Sequence, residues 1–380
     1  MLFIHRWLGF IAGLVVVIVS ITGCLFCFQD EIQDAMYSYR HVEAVHKPYL
    51  PPSALKAEGL KGRTGATASY LYYYGKDRPA ALLVNLPKEQ GMLYVYMNPY
   101  TGKVTHEENP AKNFFIIVEY IHLYLLLPPK IGSLVVGISV ISFIVLMITG
   151  IILWWPKRKT DRKRSFTIKW NGRWRRVNYD LHNVLGFYAT SVALILALTG
   201  LSMVFDVVRE GIYSTANLGK AFPSEKVFPK SDSLLKTKVD SRFTIDKAFA
   251  TAQTLSPQAQ MFLIFDDATA AGTVGITAYA KSLRFYESDG YFFEKYTGKL
   301  LKQTPHTQKS PGMKMNDMNY DLHVGQVLGL TGKIIAFLVS LISASLPITG
   351  FIIWLGKRKK GKGKKAKNVV HRRVVKQQGA

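Results

Sequence analysis

Apolar residues gather into four long runs, at 7–28, 133–155, 185–207 and 334–355, each with few or no charges. A helix needs roughly 20 residues to cross a hydrocarbon layer, so each run predicts a spanning helix. The first passes through Cys24 and Cys27 into Gln29 without a small-residue cleavage site, which predicts a retained helix rather than a signal peptide. Between the runs the period changes. Apolar and polar residues alternate around 93–104 and 290–300, and both stretches run into Tyr-Thr-Gly-Lys, at Tyr100 to Lys103 and Tyr296 to Lys299. That pattern predicts a hairpin turning at glycine. The second intervening segment adds a helical pattern at 245–254 and β-rich runs at 260–265 and 273–279.

The order is run, segment, run, short loop, and then the same again, which reads as an internal duplication. The predicted fold class is a membrane α+β protein, with four transmembrane helices from that duplication and two small α+β domains outside the membrane. The net charge of +24 sets the orientation. Ten Lys/Arg lie in 157–176 against Asp161 alone, and eleven lie in 357–376 against no acid. Positive residues beside spanning helices stay inside, so both termini and the central loop are predicted to be cytoplasmic. No folded platform accompanies the basic runs, which argues against a nucleic-acid role; the tail is instead expected to lean on anionic membrane lipid.

The boundaries follow. Residues 1–28, 131–155, 179–207 and 317–355 carry the spanning helices, the last with a juxtamembrane lead-in. Residues 29–113 and 208–316 form the outside domains, 114–130 an apolar juxtamembrane helix, 156–178 the basic loop and 356–380 the basic tail.

Four histidines sit at the mouths of the runs in two matched pairs. His5 and His182 are each followed at equal offsets by Leu-Gly and then Thr-Gly (Thr22-Gly23 and Thr199-Gly200). His122 and His323 each lead to Thr-Gly and Trp (Thr149-Gly150 and Trp154; Thr349-Gly350 and Trp354), with a slip of one residue between the copies. Histidine at a bilayer is costly and calls for a reason. Topology puts His5 and His182 at the inner rim, and His122 and His323 at the outer. Two axial nitrogens from facing helices are what a six-coordinate electron-transfer haem takes. Haem is therefore the leading reading, against histidines that merely anchor helix ends, or zinc, for which a third protein ligand is missing at each rim.

Other residues carry smaller expectations. Asp180 and Asp321, in two Tyr-Asp-Leu-His entries, either orient the histidines through Nδ1 or cap helices. Arg6 and Arg176 suit the propionates of an inner haem, and positive-inside charge explains them equally well. Cys24 and Cys27 read as small packing residues. Neither belongs to a Cys-x-x-Cys-His attachment site, so any haem is of b type. Trp154, Trp155 and Trp354 read as an interfacial belt, and His41, His46, His106 and His306 as surface residues. No dinucleotide glycine motif, phosphate loop or nucleophile elbow is present.

Taken together, His5-Arg6-Trp7-Leu8-Gly9, the two Tyr-Asp-Leu-His entries, the Thr-Gly endings, Trp154-Trp155-Pro156 and the Asn98-to-Gly102 turn resemble the PepSY-associated transmembrane family over nearly the whole chain. The family includes iron-regulated bacterial inner-membrane proteins, among them ferric-siderophore reductases of the FoxB type. The resemblance implies two haem b in a four-helix core, with PepSY-like domains in the periplasm. Carried over by position, the inner haem iron takes His5 and His182 and the outer takes His122 and His323. It further implies a haem-dependent oxidoreductase that draws electrons from a cytoplasmic donor and reduces a periplasmic ferric siderophore or other ferric chelate, releasing Fe(II). Two other classes stay open: a non-enzymatic sensor whose PepSY-like domains bind a peptide or partner, and a transporter using the rim histidines for metal or protons. The chain departs from the pattern at Pro128-Pro129, beside His122, and at Glu294-Lys295, where the first turn has Asn98-Pro99. An acceptor cleft between the outside modules is one reading; the tyrosines there, Tyr70, Tyr72, Tyr73, Tyr74, Tyr94 and Tyr96, alternate like strand positions, which packing explains first.

Overall fold

The computed structural model describes residues 1–87, 91–235 and 242–377, without the side chains of 242, 243 and 359–377. The expected lipid contact of the tail lies outside the described side chains. The chain divides into two compact units. One comprises Met1–Cys27, Glu119–Val204 and Lys333–Ala380; the other comprises Phe28–Val118 and Phe205–Gly332.

Among the described residues four helices are long and apolar enough to cross a membrane: Leu2–Cys27, Pro129–Trp154, Trp174–Val204 and Gln326–Arg358. Such sequences become helices in lipid because every backbone N–H and C=O must find its partner within the segment. In the first unit the second span packs against the first and the third. Small side chains permit that approach: Ala189, Ala193 and Ala197 recur every fourth residue on the third span and are buried against Met147 and Val339. Large apolar residues such as Ile11, Leu14, Ile138 and Ile148 point away from the bundle and are exposed. Pro347 lies inside the fourth helix, where its ring fills the place of a missing side chain; a Cβ on Gly13 would stand 3.2 Å from Pro347 Cβ.

The second unit is built on one antiparallel sheet. Its strands are β1 (Thr67–Tyr73), β2 (Ala80–Asn85), β3 (Met92–Met97), β4 (Val104–Glu108), β5 (Met261–Asp266), β6 (Thr273–Tyr279), β7 (Ser288–Glu294) and β8 (Leu300–Thr304). The order β4-β3-β2-β1-β5-β6-β7-β8 joins the two sequence modules at the centre. Leu71 faces Ile264 there, and Tyr73 faces Phe262. The expectation of two separate domains is thus corrected: each module supplies half of one sheet, and the pairing of β1 with β5 removes an open edge from each half. The buried face carries Leu71, Tyr73, Leu82, Val84 and Val95 from one half and Phe262, Ile264, Val274, Ile276 and Phe293 from the other. Helices Pro52–Leu60 and Arg242–Leu255 supply Leu55, Ile245 and Phe249 to the same core. Asp246 of the second helix accepts from the Ser53 backbone N–H at 2.8 Å.

The two hairpin turns solve one problem with different residues. Asn98 Oδ1 accepts from the N–H of Tyr100 and Thr101, at 2.9 and 3.1 Å. In the second turn Glu294 Oε2 does the same for Tyr296 and Thr297. Gly102 and Gly298 both take positive φ, 74° and 67°, the region where glycine is unstrained. The change from Asn98 to Glu294 keeps the turn.

A cluster beside the first module gives a pH-dependent prediction. Asp34 accepts from Arg40 Nε at 2.6 Å and from Arg78 Nη1 at 3.1 Å. Burial pushes the Asp34 carboxyl up, but Arg78 and Arg40 outweigh it and hold the group below the usual carboxylate range. A depressed carboxylate stabilises the fold above its unfolded pKa of about 3.9, and that contribution disappears as pH falls through the folded value. Asp34→Asn is expected to cost about 1–3 kcal/mol at neutral pH. Its thermal unfolding curve should converge with wild type as pH drops below about 4; a gap that persists undiminished in acid contradicts the assignment.

Candidate functional site

His5 lies in the first turns of the uninterrupted helix Leu2–Cys27. His182 is reached differently. The third span is α-helical over Trp174–Asp180, opens into a π turn at Leu181–Leu185 and returns to α over Gly186–Val204. Single π turns recur where a helix must aim a functional side chain, and this one contains His182. The two rings come together with centroids 6.4 Å apart and planes at 86°.

Their Nδ1 atoms are already engaged. His5 Nδ1 lies 2.9 Å from Thr149 Oγ1 of the second span, and His182 Nδ1 lies 2.9 Å from Thr349 Oγ1 of the fourth. The glycine after Thr349 makes room for the ring, since a Cβ on Gly350 would stand 3.2 Å from His182 Cε1, whereas one on Gly150 would stand 3.5 Å from His5 Cε1, an ordinary contact. The packing repeats one turn deeper, where Gly9 approaches Leu146 and Gly186 approaches Leu346.

With Nδ1 occupied, Nε2 is the nitrogen left on each ring for a metal. Ring centres 6.4 Å apart are near enough for one metal to take a nitrogen from both imidazoles. Among the described residues no group of three or more His, Cys, Asp or Glu could hold a metal ion. Beside His5, Arg6 Nε is buried with no hydrogen-bond partner among the described residues. An orphaned guanidinium N–H suits a propionate carboxylate, which would accept a charge-assisted bond. Both observations fit haem.

Arg176 is differently placed. Its Nε donates to Asp180 at 2.7 Å, and Asp180 also accepts from the Lys169 N–H at 3.2 Å. Asp180 therefore does not orient His182; Thr349 does. Asp321 likewise accepts from the backbone N–H groups of Phe285 and Tyr286, at 2.7 and 2.8 Å, pinning a loop of the sheet unit. The buried Asn178 adds a second tie between the third and fourth spans, donating from Nδ2 to the Thr349 carbonyl at 3.1 Å.

His122 sits near the end of helix Phe114–Tyr124. The chain then doubles back. Leu125 and Leu126 take φ of 55° and 59°, a costly region for leucine, and Gly132 of the second span meets the Tyr124 backbone so closely that a Cβ would stand 2.2 Å from its carbonyl oxygen. That reversal places His122 against the first span: Nδ1 lies 2.9 Å from the Val19 carbonyl and 3.1 Å from Thr22 Oγ1. A Cβ on Gly23 would stand 3.3 Å from His122 Cε1. His323 closes helix Pro311–His323 in the sheet unit. Gly325 and Gly329 follow it with positive φ, so the one-residue slip between the copies lies in these connectors.

Several sequence readings change in detail. Trp154 is not an interfacial anchor: it is buried, stacks on Phe187 at 3.8 Å and donates to the Ser165 carbonyl, whereas Trp155 is exposed. Cys24 and Cys27 are both buried and not joined in a disulfide. His106 is half-buried and stacks on Tyr39 at 3.9 Å rather than facing solvent. The sheet unit holds a cavity of about 150 Å³, lined by Arg40, Arg78, Tyr74, Tyr96, Phe285 and Tyr320 from both halves.

Comparison with known proteins adds one finding. The family profile of the PepSY-associated TM region matches residues 2–357. No protein of curated function matches the chain.

Proposed function

The chain belongs to the family of the PepSY-associated TM region, and from that premise we propose that it is a di-haem b reductase of the bacterial inner membrane. It is a multi-pass membrane protein with four apolar helices. In this reading the two halves are an internal duplication, and the central loop and both termini are cytoplasmic because they carry the positive charge. The sheet unit then lies in the periplasm.

The spacing of His5 and His182, with both Nδ1 atoms turned to threonines, carries the proposal. These residues would hold the inner haem, with Arg6 toward a propionate and Arg176 close by on the loop side. By the sequence register, His122 and His323 would hold the outer one. Haem iron, when bound, supplies a one-electron carrier at each site. The chain's own work is to fix the ligands and to keep the sites within low-dielectric helices. A ferric siderophore, or another ferric chelate, is the substrate: Fe(III) takes one electron from the reductase and becomes Fe(II), whose lower charge binds hard oxygen donors less strongly. The electron enters from a cytoplasmic donor.

The test is direct. Chain expressed in haem-replete cells and purified in detergent is expected to be red, with two haems per chain and a reducible Soret band. After reduction by dithionite and removal of the excess, adding a ferric chelate should reoxidise the haem and yield Fe(II), trapped by a ferrous-specific dye. Colourless protein from such cells overturns the proposal and leaves the sensor reading in its place.

A further inference from the structure

Thr-Gly recurs five times in the spans, and three of these units receive a histidine from another helix of the same unit. Thr149 receives His5, Thr349 receives His182 and Thr22 receives His122. In each case the threonine hydroxyl spends its one proton on its own helix. Thr149 donates to the Val145 carbonyl at 2.8 Å, Thr349 to Ser345 at 2.9 Å and Thr22 to Ile18 at 2.8 Å. A hydroxyl has one donor and two acceptor lone pairs, so toward the histidine the oxygen can only accept. At Thr22 the backbone carbonyl three residues earlier reinforces this: Val19 O lies 2.9 Å from His122 Nδ1. Carbonyls accept and never donate. Thr199 turns its hydroxyl to Ile195 at 2.7 Å in the same pose.

We infer that each of these three Thr-Gly units is a histidine socket that fixes the Nδ1–H tautomer, so that Nε2 is presented as a bare lone pair before any metal arrives. Threonine sets the tautomer, and at Gly23 and Gly350 glycine admits the ring edge, since a side chain there would stand 3.2–3.3 Å from Cε1. The residues act through the histidines and are positioning residues. The socket acceptors are neutral, a hydroxyl and a carbonyl, where many metal-bound histidines face a carboxylate that makes the ring a stronger donor. A neutral partner leaves the imidazole uncharged and favours the ferrous state relative to a carboxylate partner. The use of the socket rests on the haem reading; the tautomer does not.

The experiment is histidine-selective ¹⁵N NMR on full-length, haem-free protein in detergent, beside haem titration of the same preparation. His5, His122 and His182 are expected as Nδ1–H tautomers. Thr349→Val, which keeps the shape and removes the acceptor, should give His182 a mixture of tautomers and weaken haem binding at the inner site by roughly 10–100-fold. Thr349→Ser should restore both. Wild-type histidines in the Nε2–H form overturn the socket with no variant needed. Fixed Nδ1–H tautomers in a protein that binds no haem sustain the socket and overturn the haem reading alone. Unchanged tautomer and haem affinity in Thr349→Val overturn the socket and leave the haem reading standing.

Discussion

Alanine in place of His182 is expected to cut the haem content of the purified protein from two per chain to one, and to end electron passage across the membrane. The proposed inner haem would be held by two rings whose centres stand 6.4 Å apart, and His182 is one of them. Its removal also empties the socket made by Thr349 and Gly350 and leaves a void among buried helices, so the loss is not offset by repacking. His5→Ala should remove the same haem, and the double variant should do no further damage. His41→Ala is the control: that exposed ring only touches the Asp34 carbonyl, at 2.8 Å. Haem is counted after extraction, and electron passage is followed in sealed vesicles with reductant on one side and ferric chelate on the other. A His182→Ala protein that retains two haems contradicts the inner site, as does one in which His5 and His182 affect different haems.

The second large effect is expected at Gly132. A Cβ there would stand 2.2 Å from the Tyr124 carbonyl oxygen and 2.6 Å from its Cα. The obstacles are backbone atoms of the reversal that carries His122, so no rotamer change relieves them. Gly132→Ala should exceed the roughly 1–3 kcal/mol of ordinary overpacking, lower the unfolding temperature in detergent and displace His122 from Thr22. Loss of the outer haem with the inner retained is the expected spectroscopic outcome. Gly211→Ala, where a Cβ meets nothing within 4 Å, should be neutral or slightly stabilising through helix propensity. An unfolding temperature and haem content equal to wild type in Gly132→Ala would show that the reversal can shift after all.

Much of this arrangement is legible in the sequence, because composition alone decides what lipid will accept. The four spans follow from apolar length, and the approach of His5 to His182 follows from their identical register with glycine and Thr-Gly. The role of Thr-Gly is not legible in the same way. His5 uses the threonine 144 residues away and His122 one 100 residues away, so each socket lies in a neighbouring helix rather than the histidine's own. Asp180 misleads for the related reason that proximity in sequence is not contact; Arg176, one helical turn before it, takes the carboxylate. The single sheet was hidden because hairpin patterning says which strands fold locally and nothing about which edges meet. Glu294 stands in for Asn98 because either side chain brings a carbonyl oxygen over the same two N–H groups.

The joining of β1 to β5 has a consequence in time. Tyr70 pairs with Phe265, so β1 is synthesised roughly two hundred residues before its partner, an interval of about 10–40 s at about 5–20 residues per second. Throughout that interval the nascent chain presents an unpaired apolar strand edge, the kind of surface that captures other chains. The sheet can be completed only after the third spanning helix has been made, which ties the closing of the second unit to the insertion of the first.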